Sequence, residues 1–169
     1  MIINDAIILV GGKGSRLGKI TSKTPKPLIK INRKPFLDYL LIKLSKYNLN
    51  NIYLMCSYKK ELFFNKYNNK YIQNTKIICV DEGKAKGTGG ALFKIKKRIN
   101  KNFLMLNGDT YFDINLNSII NLKLSNKSIC MVLTHINKSE NNTLMNSLAI
   151  KNGLVYFSKK KTNKINGGI

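Results

Sequence analysis

The sequence has no tryptophan, three prolines, one histidine and three cysteines, and only eight of its 169 residues are acidic. The cysteines Cys56, Cys79 and Cys130 are an odd number, stand far apart and form no Cys-x-x-Cys pair, so neither a disulfide framework nor a zinc site is indicated. No stretch approaches the roughly 18 apolar residues that a membrane span needs. These absences favour a soluble, unexported protein of the reducing cytoplasm.

Basic residues are abundant, and 30 Lys and Arg give a formal net charge of +22. Such a charge by itself would indicate a nucleic-acid or anionic-membrane partner. However, the lysines are spread along the whole chain together with many Asn and Ile, which is typical of solvated faces rather than one binding stripe. We therefore expect no nucleic acid as partner, and a nucleic-acid binder ranks last among the alternatives. The charge should instead attract phosphorylated small molecules in a salt-sensitive way.

Short apolar runs alternate with amphipathic segments, which is the pattern of βαβ units and a largely parallel sheet. The apolar run AIILV predicts a buried first strand over Ala6–Val10. Further strands are predicted at 51–57, 76–82, 102–113 (running into a turn) and 128–136, with two short strands around an Asn152-Gly153 turn. Helices are predicted at 35–48, 59–72, 89–100 and 116–124.

A glycine-rich segment, LVGGKGSRLGKITSKTPKPL, follows the first strand directly. The carboxyl end of a strand is where open α/β sheets bind ligands. The segment is not a P-loop, because Ile20 follows Gly18-Lys19 where that motif has Ser or Thr. It is not a dinucleotide fingerprint either, because Leu17 stands where a glycine is required. A purely structural turn with solvated cations stays open as an alternative.

The same segment carries the groups that bind a polyphosphate. Glycines let the backbone approach phosphate oxygens, and a guanidinium binds them bidentately. Two prolines restrict where the lysine between them points. The candidate phosphate-binding residues are Gly11, Gly12, Gly14, Ser15, Arg16 and Lys26.

Two other segments also follow predicted strands. LNGDTYFD places Asp109 after a buried strand, and Mg²⁺ takes one or two carboxylates plus substrate phosphate oxygens, so Asp109 is the candidate metal ligand. The alternative is an ordinary turn aspartate, and Asp113 is interpreted as a helix-capping residue. GKAKGTGGA opens a helix whose N–H groups can bind a base edge, a hydroxyl or a phosphate, although an ordinary flexible loop fits equally well.

The chain resembles the sugar-phosphate nucleotidyltransferase family, the nucleotidylyl-transferring pyrophosphorylases. The resemblance rests on five motifs that occur in this order: LVGGKGSRL, PKPL, INRKPFLDYLL, GTGGAL and LNGDTYFD. The resemblance covers Ala6 to about Asp113. It implies an α/β fold, a Rossmann-like three-layer α/β/α sandwich with a mostly parallel central sheet of the nucleotide-diphospho-sugar transferase type. It also implies a single nucleotidyltransferase domain over residues 1–169. Such an enzyme joins a sugar 1-phosphate to an NTP and releases pyrophosphate, with Mg²⁺ as cofactor, and is compatible with an oligomer.

By motif position, the resemblance assigns roles to individual residues. Catalysis would fall to Arg16, Lys26 and Asp109, with Asp109 also the metal ligand and no protein nucleophile. The lone histidine, His135, would be a strand-end residue without a catalytic role. Nucleotide contacts are implied for Val10, Gly11, Gly12, Gly14, Ser15, Arg16, Lys26, Gly87 and Thr88, and sugar contacts for Gly108, Lys160, Asn166 and Gly167.

Within the family, LVGG and GTGGA look most like guanylyltransferases of mannose-type sugar 1-phosphates, and NGDTYFDINL with INGGI looks like the D-glycero-D-manno-heptose 1-phosphate branch. GTP is therefore favoured over UTP and dTTP. Two departures concern the sugar side, where Lys159 replaces a usual acid and Ser147 replaces a common glycine. The family takes a second metal-binding aspartate from beyond NGGI, so three explanations stay open: the chain is C-terminally truncated, a partner chain supplies the rest, or catalysis is lost. The alternative function is a non-catalytic homologue that binds nucleotide or sugar phosphate.

Overall fold

The computed structural model describes residues 3–84, 86–99, 102–122, 129–135, 148–157 and 164–169. The chain divides into two compact units, Met1–Leu122 and Lys123–Ile169. The single domain over 1–169 therefore stays a prediction. Across the described ranges, no helix is both long enough and apolar enough to cross a membrane.

The first unit alternates strands and helices, as the sequence pattern indicates. In chain order its elements are β1 (Asp5–Leu9), α1 (Lys19–Lys23), β2 (Lys30–Ile31), β3 (Lys34–Pro35), α2 (Phe36–Leu44), β4 (Asn51–Cys56), α3 (Lys60–Tyr67), β5 (Tyr71–Ile72), β6 (Thr75–Asp81), α4 (Gly87–Ile95), β7 (Phe103–Asn107) and α5 (Asn117–Ile120). Short 3₁₀ turns at Ser15–Leu17 and Lys26–Leu28 lie within the glycine-rich segment. Neither these turns nor α1 follows from the apolar periodicity.

The main sheet has five strands in the order β5-β6-β4-β1-β7. β1 pairs in parallel with both β4 and β7, and β4 pairs in parallel with β6. β5 is the antiparallel edge strand, paired with β6. The register sets Leu9 opposite both Met55 and Asn107, so β1, β4 and β7 end at the same edge of the sheet.

Helices cover both faces of this sheet. On one face, apolar residues of β1, β4 and β6 pack against α4; this cluster contains Ile7, Tyr53, Met55, Val80, Ala91 and Ile95. The alternation of side chains along a strand sends Cys79 to the opposite face. There its Sγ lies 3.5 Å from the carbonyl oxygen of Phe63 in α3. α2 lies beside α3, because Tyr67 Oη donates to Asp38 Oδ1 at 2.5 Å. This arrangement is the predicted three-layer class.

Some predicted boundaries are wrong. The helix predicted at 59–72 ends at Tyr67, and Tyr71–Ile72 instead forms β5. Asn69 and Gln73 adopt left-handed conformations with φ of 59° and 52°, which turn the chain into and out of this edge strand. The helix predicted at 89–100 spans Gly87–Ile95, and the one predicted at 116–124 spans Asn117–Ile120.

Asp113 is not the capping residue that the sequence indicates. Its carboxylate is almost fully exposed and lies 3.2 Å from Lys43 Nζ. α5 begins four residues later, beyond the reach of this side chain, and Asn115 Oδ1 accepts the hydrogen bond from the Asn117 N–H at 3.0 Å.

The second unit contains β8 (Leu133–His135), β9 (Leu148–Lys151), β10 (Leu154–Phe157) and β11 (Lys164–Asn166). β9 and β10 form an antiparallel hairpin whose turn residues Asn152 and Gly153 have φ of 51° and 73°, which confirms the predicted Asn-Gly turn. β8 is shorter than the strand predicted at 128–136 and pairs antiparallel with β11. Ser147, Lys159 and Lys160 lie outside the described residues.

Gly108 follows β7 directly and provides a test of the packing at this edge. A Cβ here would lie 2.7 Å from the Leu9 carbonyl oxygen, which the Gly108 N–H already contacts at 2.9 Å. Gly108→Ala should therefore lower the free energy of unfolding by about 1–3 kcal/mol, measured by urea denaturation. Gly12→Ala is the matched control, because a Cβ there meets nothing within 4 Å. Equal unfolding midpoints for the two variants would contradict the close packing.

Candidate active site

A cavity of about 290 Å³ opens where β1, β6 and β7 end. The three segments that the sequence singles out therefore meet in one place, at the ligand edge of the sheet. The cavity is lined by Leu9, Val10, Gly11, Gly12, Gly14, Lys26, Pro27, Glu82, Gly87, Thr88, Asn107 and Asp109, all in the first unit.

The glycine loop, residues 11–18, is held in a compact conformation by its own backbone and by α1. Gly14 has φ of 63°, a left-handed conformation that costs glycine little. Thr21, buried in α1, donates its hydroxyl to the carbonyl oxygen of Gly14 at 3.0 Å and lies 3.2 Å from that of Gly18. Gly11 is equally restricted, because a Cβ there would lie 3.0 Å from Ser57 Cβ. The loop is thus ordered without filling the cavity with side chains.

Lys26 and Asp109 form an ion pair across the cavity, with Lys26 Nζ 2.8 Å from Asp109 Oδ2. Lys26 begins the 3₁₀ turn after the glycine loop, and Asp109 follows β7, so tertiary folding joins residues 83 positions apart. Both side chains are about 40% exposed. A pair this open to water contributes little stability, about 0–1 kcal/mol. Ligands can therefore separate the two charges at small cost.

Glu82 is a second carboxylate in the cavity, directly after β6. Its backbone N–H continues the sheet by donating to the Cys56 carbonyl oxygen at 2.9 Å. Burial, and then the neighbouring Asp81 carboxylate, raise the pKa of Glu82. The pKa of Asp81 is lowered by its hydrogen bonds from Lys60 and from the Gly83 N–H.

Most of the predicted nucleotide-binding residues are brought together. Ser15 and Arg16 instead lie on an exposed 3₁₀ turn and are not among the lining residues. The lining includes Val10, Gly11, Gly12, Gly14, Lys26, Gly87 and Thr88, together with the predicted metal ligand Asp109.

Of the predicted sugar-binding residues, Gly108 belongs to the first unit, which lines the cavity. Gly108 is buried against the Leu9 carbonyl oxygen and does not line it. Asn166 and Gly167 belong to the second unit, where the Gly167 N–H donates to the Val132 carbonyl oxygen at 2.8 Å. Their contacts with a sugar, like that of Lys160, stay predictions.

Sequence reasoning missed four lining residues, of which Glu82 matters most chemically. The others are Leu9, Pro27 and Asn107. The rule that singled out Asp109, a carboxylate just after a buried strand, applies equally to Glu82 at the end of KIICVDE. A consistent use of that rule would have found it.

A glycine loop, a lysine and two carboxylates at the carboxyl edge of a mostly parallel sheet define a protein of the nucleotide-binding α/β class. The chain belongs to the nucleotidyl transferase family, whose model matches residues 5–145.

Other proteins are similar in sequence over most of this chain. D-glycero-alpha-D-manno-heptose 1-phosphate guanylyltransferase of Campylobacter jejuni is 36% identical over 167 residues, which are 97% of this chain and 73% of that protein. The protein of that name from Aneurinibacillus thermoaerophilus is 37% identical over 73% of this chain and 54% of its own. The bifunctional protein GlmU of Methanococcus aeolicus is 33% identical over 98% of this chain, which spans 39% of that protein.

Solved structures agree with the sequence relatives. HddC from Yersinia pseudotuberculosis, crystallised with GMP-PN, superposes with a TM-score of 0.75 at 28% identity, covering 98% of this chain and 74% of HddC. A Bacillus anthracis protein crystallised with sucrose has a TM-score of 0.76 at 20% identity, covering 97% of this chain and 69% of its own. The predicted nucleotide-diphospho-sugar transferase fold is confirmed.

The raised pKa of Glu82 predicts a pH effect on stability. A carboxyl group whose pKa is higher in the folded than in the unfolded state contributes stability at low pH that is lost as the pH rises through the folded pKa. Glu82→Gln should therefore lose less stability than the wild type between pH 4 and pH 7. Urea denaturation at both pH values measures the difference, and parallel pH profiles would contradict the burial of this carboxylate.

Proposed function

We propose that this protein is a sugar-1-phosphate guanylyltransferase, which joins GTP and a sugar 1-phosphate into a nucleotide-sugar and releases pyrophosphate. The observation that carries the proposal is the Lys26–Asp109 pair, which faces the glycine loop in one cavity. Family membership and the names of the heptose 1-phosphate guanylyltransferase relatives support it. The free thiols of the chain support a cytoplasmic location.

The reaction needs positioning and charge neutralisation rather than a protein nucleophile. A phosphate oxygen of the sugar 1-phosphate attacks the α-phosphorus of GTP in line, and the bond from that phosphorus to the bridging oxygen breaks. Pyrophosphate leaves with the electron pair. The N–H groups of the glycine loop and Lys26 would bind the phosphate oxygens and stabilise the charge that develops on them. Arg16 would reach the triphosphate from its exposed turn.

Asp109 fits a magnesium ion by its chemistry. It is a hard oxygen donor, partly exposed, beside the lysine that we assign to the phosphates. No cluster of three or more metal-ligating side chains exists among the described residues, which suits an ion that is bound largely by substrate oxygens. When bound, Mg²⁺ would neutralise phosphate charge and polarise the α-phosphate for attack. Displacement of Lys26 from Asp109 would then free both groups for their ligands.

Glu82 supports guanine as the base. The sheet order sets the ends of β6 and β7 three strand spacings apart, about 14 Å, which is the scale of an extended nucleoside triphosphate. With phosphates near Asp109 at one end, the base would lie near Glu82 at the other. An ionised carboxylate only accepts hydrogen bonds, and guanine offers it adjacent N1–H and N2–H donors. Uracil and thymine present carbonyl oxygens on both sides of their single N–H.

The sugar that we propose is a D-glycero-D-manno-heptose 1-phosphate. The names of the Campylobacter and Aneurinibacillus relatives support this choice. Asn166 and Gly167 are the described residues of the second unit that we assign to the sugar.

Pyrophosphate release with Mg²⁺ is the direct test of the function. GTP, UTP, dTTP, CTP and ATP should each be combined with heptose, mannose and glucose 1-phosphates. Release confined to GTP and one sugar 1-phosphate is the expected result. A folded protein that releases nothing with any pair would leave the non-catalytic binding homologue in its place.

Asp109→Asn should reduce pyrophosphate release by about 100-fold or more, because an amide cannot supply the anionic oxygen that a hard cation needs. Its thermal midpoint should stay close to that of the wild type, since the exposed pair with Lys26 adds little stability. Asp113→Asn is the matched control, because that carboxylate also pairs with a lysine but lies outside the cavity. Equal activity of the two variants would remove Asp109 from the mechanism.

Glu82→Gln should reduce the preference for GTP over UTP in kcat/KM by about 10- to 100-fold, because an amide keeps one acceptor but gains a donor that repels the guanine N–H edge. Turnover of UTP should rise or stay constant. An unchanged ratio would place the base elsewhere in the cavity.

A further inference from the structure

We infer that the turn Ser57–Lys60, which runs from the end of β4 to the first residue of α3, is a positioning segment that sets the spacing of the two walls of the cavity. Its four residues are absent from the cavity lining, so no direct contact with a ligand in that space accounts for them. They nevertheless contact the glycine loop and α1 on one side, and the end of β6 and the loop after it on the other. The glycine loop and α1 form the first wall, which we call the triphosphate wall, and the segment around Glu82 forms the second, which we call the base wall. The inference rests on the proposed function, which assigns the triphosphate to the first wall and the base to the second.

Tyr58 connects the start of the glycine loop to α1, the helix that follows the loop. Its backbone N–H donates to the carbonyl oxygen of Gly11 at 3.3 Å. Its hydroxyl lies 3.1 Å from the carbonyl oxygens of both Thr21 and Ser22 and can donate its single proton between them. Thr21 in turn donates to the Gly14 carbonyl oxygen at 3.0 Å. One partly buried tyrosine thus holds the start of the loop and the helix that follows it.

Lys59 adds another hydrogen bond to the same wall. Its Nζ donates to the carbonyl oxygen of Lys23, the last residue of α1, at 2.9 Å. Its backbone has φ of 49°, a left-handed conformation that lysine seldom adopts. This conformation turns the chain from β4 into α3.

Ser57 and Lys60, the other two residues of the turn, contact the base wall. Ser57 donates its hydroxyl to the carbonyl oxygen of Gly83, the residue after Glu82, at 2.8 Å. Lys60 Nζ lies 2.5 Å from Asp81 Oδ2, just before Glu82. Glu82 is therefore flanked on both sides by residues that are bonded to this turn.

Catalytic groups must be held to within about 0.5 Å of their productive positions, and groups on loops depend on supporting hydrogen bonds for this. The two walls contact the turn through different residues. Tyr58 and Lys59 contact the triphosphate wall, and Ser57 and Lys60 contact the base wall. Removing a hydrogen bond to the triphosphate wall should therefore change the KM for all nucleotides alike. Removing one to the base wall should change the preference for one nucleotide over another.

Tyr58→Phe tests the triphosphate wall. We expect the KM for every accepted NTP to rise about 3- to 10-fold, with the KM for the sugar 1-phosphate unchanged and a smaller effect on kcat. Tyr39→Phe is the matched control, because its hydroxyl also donates to a backbone carbonyl oxygen, that of Ile31 at 2.9 Å, away from the cavity. A merely structural role for Tyr58 would lower the active fraction, and so kcat, without changing the KM for NTP.

Ser57→Ala tests the base wall. We expect the ratio of kcat/KM for GTP over UTP to fall about 2- to 5-fold while the thermal midpoint stays near that of the wild type. Ser118→Ala is the control. The Ser118 hydroxyl, in α5, likewise donates to a backbone carbonyl oxygen, that of Asn115 at 2.7 Å. Values for Tyr58→Phe and Ser57→Ala that match their controls would overturn the inference.

Binding of GTP alone, measured by titration calorimetry on the same variants, separates this inference from the proposed function. Wild type that binds GTP but releases no pyrophosphate would refute the proposed function, and the weaker binding of Tyr58→Phe relative to Tyr39→Phe would still support the positioning role. Equal GTP affinities would refute the positioning role even if the wild type is active. Wild type that does not bind GTP would refute both.

Discussion

The parallel pairing of β1 with both β4 and β7 is the constraint on which the site depends. β1 can occupy the centre of the sheet because Ala6, Ile7 and Ile8 are fully buried and bring no charge that needs water. Its register aligns the ends of three strands, so the segments that follow them leave at one edge. The glycine loop, the turn Ser57–Lys60 and Asp109 are neighbours for this reason, although they are distant along the chain.

The distribution of acidic residues shows how the fold uses a scarce group. Only eight residues of the chain are acidic, yet Glu82 and Asp109 both line the cavity. The chain as a whole has a net charge of +22, which should attract phosphates over roughly one Debye length, about 8–10 Å in physiological salt. In the proposed function, Asp109 binds a cation and Glu82 accepts N–H donors, which are roles that lysine side chains cannot fill.

Local patterns predicted the regular parts of this protein well and the irregular parts poorly. The buried strands, α2 and the Asn152-Gly153 turn follow from apolar periodicity and turn chemistry, which act over a few residues. The helix predicted through Tyr71–Ile72 was wrong because pairing with β6 outweighs the local preference there. Asp113 was misassigned because its capping role depended on where α5 begins. The short α1 depends on the Thr21 contacts with Gly14 and Gly18, which no periodicity reveals.

The sequence by itself determined the class of fold, the family and most of the cavity lining, because each rests on residue types at short spacings: glycines after a strand, a lysine between prolines, a carboxylate after a buried run. Only the tertiary structure decided that Lys26 pairs with Asp109, that Glu82 shares their cavity and that Ser57–Lys60 supports both walls. These contacts join residues 21 to 83 positions apart. Such pairings follow from the order of strands in the sheet, which the spacing of residues along one chain does not encode locally.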